Sequence, residues 1–224
     1  MLYDKDIRES LYDYLEETWG KIRIIEEKRI GRSRADLVMV LPGAVAGIEI
    51  KSDADTYTRL AGQVSDYDRL FDYNILVAGS VHAAHAHEHV PEHWGIVIVE
   101  EAEKAGREGP RADFYMLRRP TRREDLDIRE KLQLLWRPEL VLLQEQNDLP
   151  RYREKSKAFV IEKLAERVPA ELLHVQISEA LFERDYTTIG ETIDAYRRSM
   201  GRRPSRRRRR KQIIGLDRRR RKQG

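Results

Sequence analysis

Apolar and polar positions follow first a helical and then a strand period along the first fifty residues. Residues 5–18 carry apolar side chains at helical spacing, and Gly20 predicts the end of that helix. Three segments rich in β-branched residues follow, at 21–30, 35–41 and 44–51. The turns between them are short, so the pattern predicts an antiparallel meander of three strands.

The next seventy residues alternate helix and strand patterns. Residues 55–73 predict an amphipathic helix capped by Asp55 or Thr56, and the apolar segment 74–79 predicts a strand. If the helix is a crossover, that strand lies parallel to the third one. Residues 82–93 predict a further helix. The remaining strands are expected at 94–100 and, as an edge strand, at 113–119.

The character of the chain changes after Pro120. Helical patterns separated by prolines and polar stretches follow, at 127–146, 153–168 and 169–186. We therefore expect an α/β core with a C-terminal helical extension and a terminal tail. The predicted boundaries are 1–120 for the core, 121–200 for the extension and 201–224 for the tail.

Charge is distributed very unevenly between the tail and the rest of the chain. Residues 201–224 hold 13 lysines and arginines and one aspartate, whereas the preceding 200 residues carry 30 basic and 38 acidic side chains. Such a basic block predicts a disordered segment that binds phosphate backbones, with a solvated tail of no specific role as the alternative. The candidate contacts there are Arg206, Arg207, Arg208, Arg209 and Arg210.

Composition removes several kinds of chemistry. The chain has no cysteine, which excludes disulfides, thiolate zinc sites and a cysteine nucleophile. Its first ten residues are charged and lack the apolar region of a signal peptide, and no apolar run reaches the roughly 20 residues of a membrane helix. A cytoplasmic protein is the resulting expectation.

Charged side chains interrupt two of the predicted strands. Alternation places Asp36 on one face of the second strand, and Glu49 and Lys51 on one face of the third. Two neighbouring carboxylates attract a hard divalent ion such as Mg²⁺, or Mn²⁺, and the backbone carbonyl of Ile50 supplies a third oxygen. Lys51 would orient or deprotonate a water. The alternative is a surface strand with an ordinary ion pair.

These residues resemble the PD-(D/E)xK nuclease superfamily, whose members have the restriction-endonuclease-like fold. The resemblance rests on Asp36 followed by Glu49-Ile50-Lys51, and it extends over about residues 5–100. The next helix adds Gln63 and Tyr67, similar to the QxxxY motif of RecB-type nuclease domains. The resemblance implies a restriction-endonuclease-like core of order αβββαβ and Mg²⁺-dependent cleavage of DNA. It also implies that Gln63 and Tyr67 position the DNA strand that is cut.

The resemblance extends to supporting residues. Superfamily members often add an acid from the first helix as a further metal ligand or metal-water partner. The candidates here are Glu9, on the predicted first helix, and Glu27, on the predicted first strand. Glu27 is preferred because its strand continues toward the site. Arg34, Ser52 and Arg59 flank the site as candidate phosphate contacts. One departure is Ala35, which stands where many members have proline.

Several alternatives stay open. A catalytically silent nucleic-acid-binding or adaptor protein on the same fold is the principal rival, and RNA is the rival to DNA as partner. His82, His85 and His89 share one face of the predicted helix, which is also the spacing of a zinc site. Many superfamily members dimerise to cut both strands, so a homodimer is compatible with the resemblance.

Overall fold

A computed structural model describes residues 4–102 and 112–184 of the protein and contains a six-stranded sheet with helices on both faces. The Arg-rich segment 201–224 lies outside the described residues. The helices are α1 Asp4–Trp19, α2 Leu60–Asp68, α3 Ala86–His89, α4 Ile128–Leu132, α5 Arg137–Gln146, α6 Lys157–Arg167 and α7 Ala170–Phe182. The strands are β1 Arg23–Ile30, β2 Ser33–Leu41, β3 Ala44–Lys51, β4 Tyr73–Gly79, β5 Gly95–Glu101 and β6 Ala112–Arg118.

The sheet is mixed, and its strands lie in chain order from β1 to β6. Strands β1, β2 and β3 form the expected antiparallel meander. Helix α2 then crosses over, so that β4 is parallel to β3, and β5 continues parallel to β4. Strand β6 returns antiparallel at the edge. The α/β class and the parallel crossover are therefore confirmed.

Each face of the sheet has its own apolar layer. Helix α1 packs on one face through Ile7, Leu11 and Leu15, against a layer that includes Ile48 and Ile50 of β3. Helices α2 and α4–α7 contribute to a second layer on the opposite face. Alternation along β3 turns the side chains at 49 and 51 away from the α1 layer and toward α2.

Two predicted helices are shorter than the pattern suggested. The helix expected at 55–73 begins only at Leu60, because Asp55 accepts hydrogen bonds from the backbone nitrogen and hydroxyl of Ser52 and so closes a turn. Neither predicted cap is correct, since the N-cap residue is Arg59. The helix expected at 82–93 is reduced to a 3₁₀ turn and the four-residue α3. Pro91 holds the residue before it in an extended conformation, which ends α3.

The segment 127–146 forms two helices instead of one. Pro138, near the start of α5, has no N–H to donate to the carbonyl of Leu134 one turn earlier. That carbonyl accepts hydrogen bonds from Lys28 and Arg184 side chains instead, at 3.0 and 2.9 Å. The break thus ties the helical extension to β1. In the part of the chain that is described, no helix is long and apolar enough to cross a membrane.

The contact made by Lys28 predicts a pH-dependent stability. Burial, followed by the positive charge of Arg184, lowers the pKa of Lys28 to about 8 despite the opposing effect of the Glu139 carboxylate. The native state therefore releases this proton near pH 8, whereas the unfolded chain keeps it to about pH 10.4. Stability is reduced below that window and recovers as the pH rises through it.

We expect the free energy of unfolding of the wild type to rise between about pH 8 and pH 10 relative to that of Lys28→Met. The expected gain is about 2 kcal/mol, because each pKa unit corresponds to about 1.4 kcal/mol and Lys28 is already half deprotonated at pH 8. Chemical denaturation at a series of pH values measures it, with Lys163→Met on α6 as the control. Parallel pH curves for wild type and Lys28→Met would contradict the assignment.

Candidate active site

The carboxylate of Glu49 is the centre of a buried polar network on the α2 side of β3. Its Oε1 accepts hydrogen bonds from Lys51 Nζ at 2.6 Å and from Gln63 Nε2 at 2.5 Å. Its Oε2 accepts one from the hydroxyl of Tyr67 at 2.7 Å. Glu49 is 1% exposed and Lys51 is 7% exposed. A charged pair this deeply buried is costly unless its hydrogen bonds are satisfied, and here they are.

Helix α2 reaches this network because β3 has no side chain at Gly47. A Cβ atom there would lie 2.6 Å from the Tyr67 ring and 2.3 Å from the Phe71 ring. The absence of that atom lets the Tyr67 ring pack directly on the strand, with its hydroxyl 3.2 Å from the Ile48 carbonyl oxygen. Gln63 lies one helical turn earlier, on the same face of α2.

Asp36 lies beside this network where β2 and β3 stop pairing. The ladder between the strands ends at Leu37 and Ile48, and beyond it Asp36 Oδ2 accepts a hydrogen bond from the Ile50 backbone nitrogen at 3.0 Å. The backbone nitrogen of Asp36 donates to the Tyr67 hydroxyl at 3.3 Å. One phenol thus contacts both acidic residues that the sequence singled out.

Burial and two carboxylates keep the Tyr67 hydroxyl protonated. Desolvation raises the pKa of Tyr67 well above its ordinary value, and the negative charges of Glu49 and Asp36 raise it further. Tyr67 therefore donates a hydrogen bond to the Glu49 carboxylate and does not act as a general base. Its chemical contribution is to fix the orientation of that carboxylate.

Comparison with known proteins places most of the chain in one family. The sequence model of the family described as "Bacteriophage P4 protein cII" matches residues 1–207. The chain belongs to this family. Comparison with curated proteins and with solved structures returned no significant match. The family description names no activity.

Where the structure describes them, the remaining predicted site residues of this cII-family chain have contacts or positions other than a hydrogen bond to Glu49. Glu27 has a left-handed backbone conformation between Glu26 and Lys28, whose partners in the β1–β2 ladder are Leu37 and Ala35. Its carboxylate lies 3.7 Å from the Arg34 guanidinium. The hydroxyl of Ser52 donates to Asp55, and Arg59 is exposed at the start of α2. The side chain of Glu9 and residues 206–210 lie outside the described part.

The three histidines do not converge on one point. His82 Nε2 lies 3.1 Å from the Ser52 carbonyl oxygen, and His85 Nδ1 lies 2.9 Å from a Glu88 carboxylate oxygen. His89 stacks on the Tyr57 ring with centroids 4.0 Å apart. Over the described ranges of the cII-family chain, no group of three or more histidines, aspartates and glutamates is placed to hold a metal ion. The zinc alternative therefore has no support.

Sequence reasoning missed one residue of the site, Arg8 of α1. Its Nη2 lies 3.6 Å from Asp36 Oδ1, and its Nη1 donates to the Asp36 carbonyl oxygen at 3.3 Å. The position carries no sequence signal, since an arginine on an amphipathic helix is normally solvated. The spacing of Ile7 and Leu11 fixes which face of α1 is buried, and Arg8 lies at the border of that face.

Proposed function

We propose that this cII-family protein is a divalent-metal-dependent nuclease that hydrolyses DNA phosphodiester bonds. The observation that carries the proposal is the convergence of Lys51, Gln63 and Tyr67 on the buried carboxylate of Glu49. These side chains come from two elements, β3 and α2, and ionisable groups that are buried together in this way are characteristic of functional sites. We further infer that the αβββαβ core is restriction-endonuclease-like.

The donor set fits a weakly held Mg²⁺ or Mn²⁺. Asp36 and Glu49 supply two carboxylates, and the hydrogen bond from the Ile50 nitrogen brings the Ile50 peptide beside Asp36. Mg²⁺ is commonly held by one or two carboxylates, with water and substrate phosphate oxygens completing six ligands. When bound, the ion would supply Lewis-acid stabilisation of the negative charge that develops on the phosphate.

The side chains around Glu49 have separate roles in this proposal. Gln63 and Tyr67 each donate one hydrogen bond to Glu49, so the direction of its carboxylate is fixed before any ligand arrives. Lys51 Nζ donates hydrogen bonds to Glu49 and to the side-chain amide oxygen of Gln63, and these two contacts hold its ammonium group inside the site. There Lys51 is placed to orient a water or to stabilise developing negative charge on the phosphate.

Electrostatics gives the tail a role in bringing DNA to the site. The first 200 residues have a net charge of −8, which repels a phosphate backbone, and residues 201–224 have a net charge of +12. The basic segment would supply the attraction, which weakens steeply with salt. Binding that falls with salt is therefore expected for any nucleic acid, DNA or RNA, whereas cleavage depends on the site at Glu49.

A catalytically silent binding protein is the second candidate, and one observation favours it. Oε1 of Glu49 already accepts two hydrogen bonds and Oε2 accepts one, so the protein fills most of the acceptor capacity of this carboxylate and leaves a metal ion only the remaining position on Oε2. A buried network with all its partners in place is also what a purely structural polar cluster presents. Metal binding that depends on Asp36 separates the two candidates.

We expect Mn²⁺ to bind the wild type and Asp36→Asn to weaken that binding by about tenfold or more, since the substitution removes one of two carboxylates. Calorimetric titration of Mn²⁺ measures the affinity. Plasmid and labelled DNA and RNA substrates, each with Mg²⁺ or with EDTA, measure cleavage in parallel. Metal binding that Asp36→Asn leaves unchanged, with no cleavage, would favour the silent protein.

A further inference from the structure

Each carboxylate of the proposed site already has a cationic partner. Lys51 Nζ lies 2.6 Å from Glu49 Oε1, and Arg8 Nη2 lies 3.6 Å from Asp36 Oδ1. The first pair is the more buried, with side-chain exposures of 9% and 2%, against 17% for each side chain of the second. The formal charges of the four groups sum to zero.

This balance opposes the entry of a metal ion alone. A divalent cation adds two positive charges beside Arg8 and Lys51 in a region of low dielectric, where like charges repel strongly. The opposition is relieved when one resident cation leaves or when an anion enters. Arg8 is the cation able to leave, because its contact with Asp36 is longer and more solvent-accessible than that of Lys51 with Glu49.

A phosphodiester that enters the site relieves this opposition in both ways, because it is an anion and because it offers Arg8 a new partner. It brings a negative charge, and its oxygens complete the coordination of an ion that the protein holds through only two carboxylates. The guanidinium of Arg8 is planar and can pair with two phosphate oxygens, which suits it to exchange Asp36 for a phosphate. Arg8 reaches Asp36 from α1, which packs on the face of the sheet opposite to α2.

We propose that Arg8 couples metal binding to nucleic-acid binding. In the protein alone Arg8 neutralises Asp36 and weakens its affinity for a divalent ion. When a phosphodiester enters, Arg8 moves to the phosphate, and Asp36 becomes available to the metal. This inference rests on the proposed function and adds its regulation, since the metal binds tightly only when the nucleic acid is present.

Mn²⁺ binding with and without a nucleic acid tests the coupling. The free Mn²⁺ signal in electron paramagnetic resonance is followed in titrations of the full chain, alone and with a 12-nucleotide single-stranded or duplex DNA. Moderate salt, about 0.3 M, screens contacts to the basic segment. A blank with DNA alone corrects for Mn²⁺ bound to phosphates, and a gel confirms that the DNA is intact.

Arg8→Gln is the informative variant, and Arg167→Gln, an exposed arginine on α6, is the matched control. For the wild type and the control we expect DNA to tighten Mn²⁺ binding by about tenfold. For Arg8→Gln we expect tighter Mn²⁺ binding without DNA, by about fivefold, and a gain of only about twofold when DNA is added, which is the part that phosphate oxygens supply as ligands. Linkage requires Mn²⁺ to tighten DNA binding by the same factors, which fluorescence anisotropy measures independently.

The possible results separate the inference from the function on which it rests. If DNA leaves the Mn²⁺ affinity of the wild type unchanged, the coupling is overturned. If Asp36→Asn still weakens Mn²⁺ binding in that case, the proposed metal site stands. An Arg8→Gln variant that behaves like the wild type overturns the role of Arg8 alone. Absence of Mn²⁺ binding with and without DNA, or binding that Asp36→Asn does not weaken, overturns the proposed function together with the inference.

Discussion

Replacing Lys51 by methionine is expected to reduce the rate of DNA cleavage at saturating substrate by about 10²–10⁴-fold. The substitution keeps most of the aliphatic length of the side chain and removes the ammonium group that contacts Glu49 and Gln63. That group is the cation held nearest to the buried carboxylate. In the proposed mechanism, its loss removes both a donor that would orient a water and a positive charge that would face the phosphate.

The control has to separate loss of chemistry from loss of folding. Lys51→Met leaves Glu49 buried with its two neutral donors, so part of any effect is on stability. Lys163→Met removes a lysine–glutamate pair of similar length, Lys163 with Glu166 at 2.5 Å, from the surface of α6 and should leave cleavage unchanged. Single-turnover rates are compared only at temperatures well below the unfolding midpoint of each variant.

Two outcomes would contradict the proposed role of Lys51. Cleavage by folded Lys51→Met at the wild-type rate would exclude the lysine from the chemistry. If Lys51→Met reduces the apparent affinity for DNA and leaves the maximal rate of cleavage unchanged, Lys51 contributes to substrate binding only. Glu49→Gln provides a second arm, because it keeps the shape of the side chain while removing its charge. We expect Glu49→Gln to lose both metal binding and cleavage.

Much of the sheet could be predicted from sequence because its signals are local. The β-branched segments that became β1, β2 and β3 are joined by short turns, and such turns leave the antiparallel meander as the simplest arrangement. The crossover through α2 followed from the preference for helical connections between parallel strands. These inferences needed no contact between residues far apart in sequence.

The helix boundaries failed where a side chain or a proline competed with the helical hydrogen bonds. Asp55 was expected to cap α2, and instead it binds Ser52 and closes a turn before the helix. Ser, Asp and Asn offer the backbone such alternatives, and apolar periodicity cannot distinguish them from a cap. Pro138 divided the helix expected at 127–146, because proline has no N–H to donate to the carbonyl one helical turn earlier.

The part of the site on neighbouring strands was predictable, and the parts that depend on packing between layers were not. Alternation and hairpin register were enough to expect Asp36 near Glu49. The contact of Arg8 with Asp36 depends on the angle at which α1 lies on the sheet, which no spacing encodes. Lys131 was also missed, because a lysine within a helical pattern is normally assigned to the solvent side.

Asp72 and Lys131 form a second buried charge pair, remote from Glu49 along the sheet. Lys131 Nζ donates to Asp72 Oδ2 at 2.6 Å, and neither side chain is exposed. Asp72 Oδ2 also accepts a hydrogen bond from the Val45 backbone nitrogen at 2.7 Å, and His174 Nδ1 lies 2.8 Å from Lys131 Nζ. One carboxylate thus joins the start of β3 to helices α4 and α7.

Removing either partner of this pair is expected to lower the free energy of unfolding by about 3–5 kcal/mol, because the other charge is left buried without its closest counter-ion. The double variant Asp72→Asn/Lys131→Met should cost clearly less than the sum of the two single changes, since it leaves no buried charge from the pair. Chemical denaturation gives the coupling energy of this double-mutant cycle. If a single variant does not fold and the double variant does, the same conclusion follows from their comparison.

The surface pair Lys163–Glu166 provides the matched cycle, because its side chains are 29% and 42% exposed. Its single variants should change the free energy of unfolding by less than about 1 kcal/mol. Additive costs in the Asp72–Lys131 cycle, or single costs as small as those of the surface pair, would show that the helical extension does not depend on this contact. A large coupling would mean instead that α4 and α7 are held on the sheet by a charge pair that apolar periodicity cannot reveal.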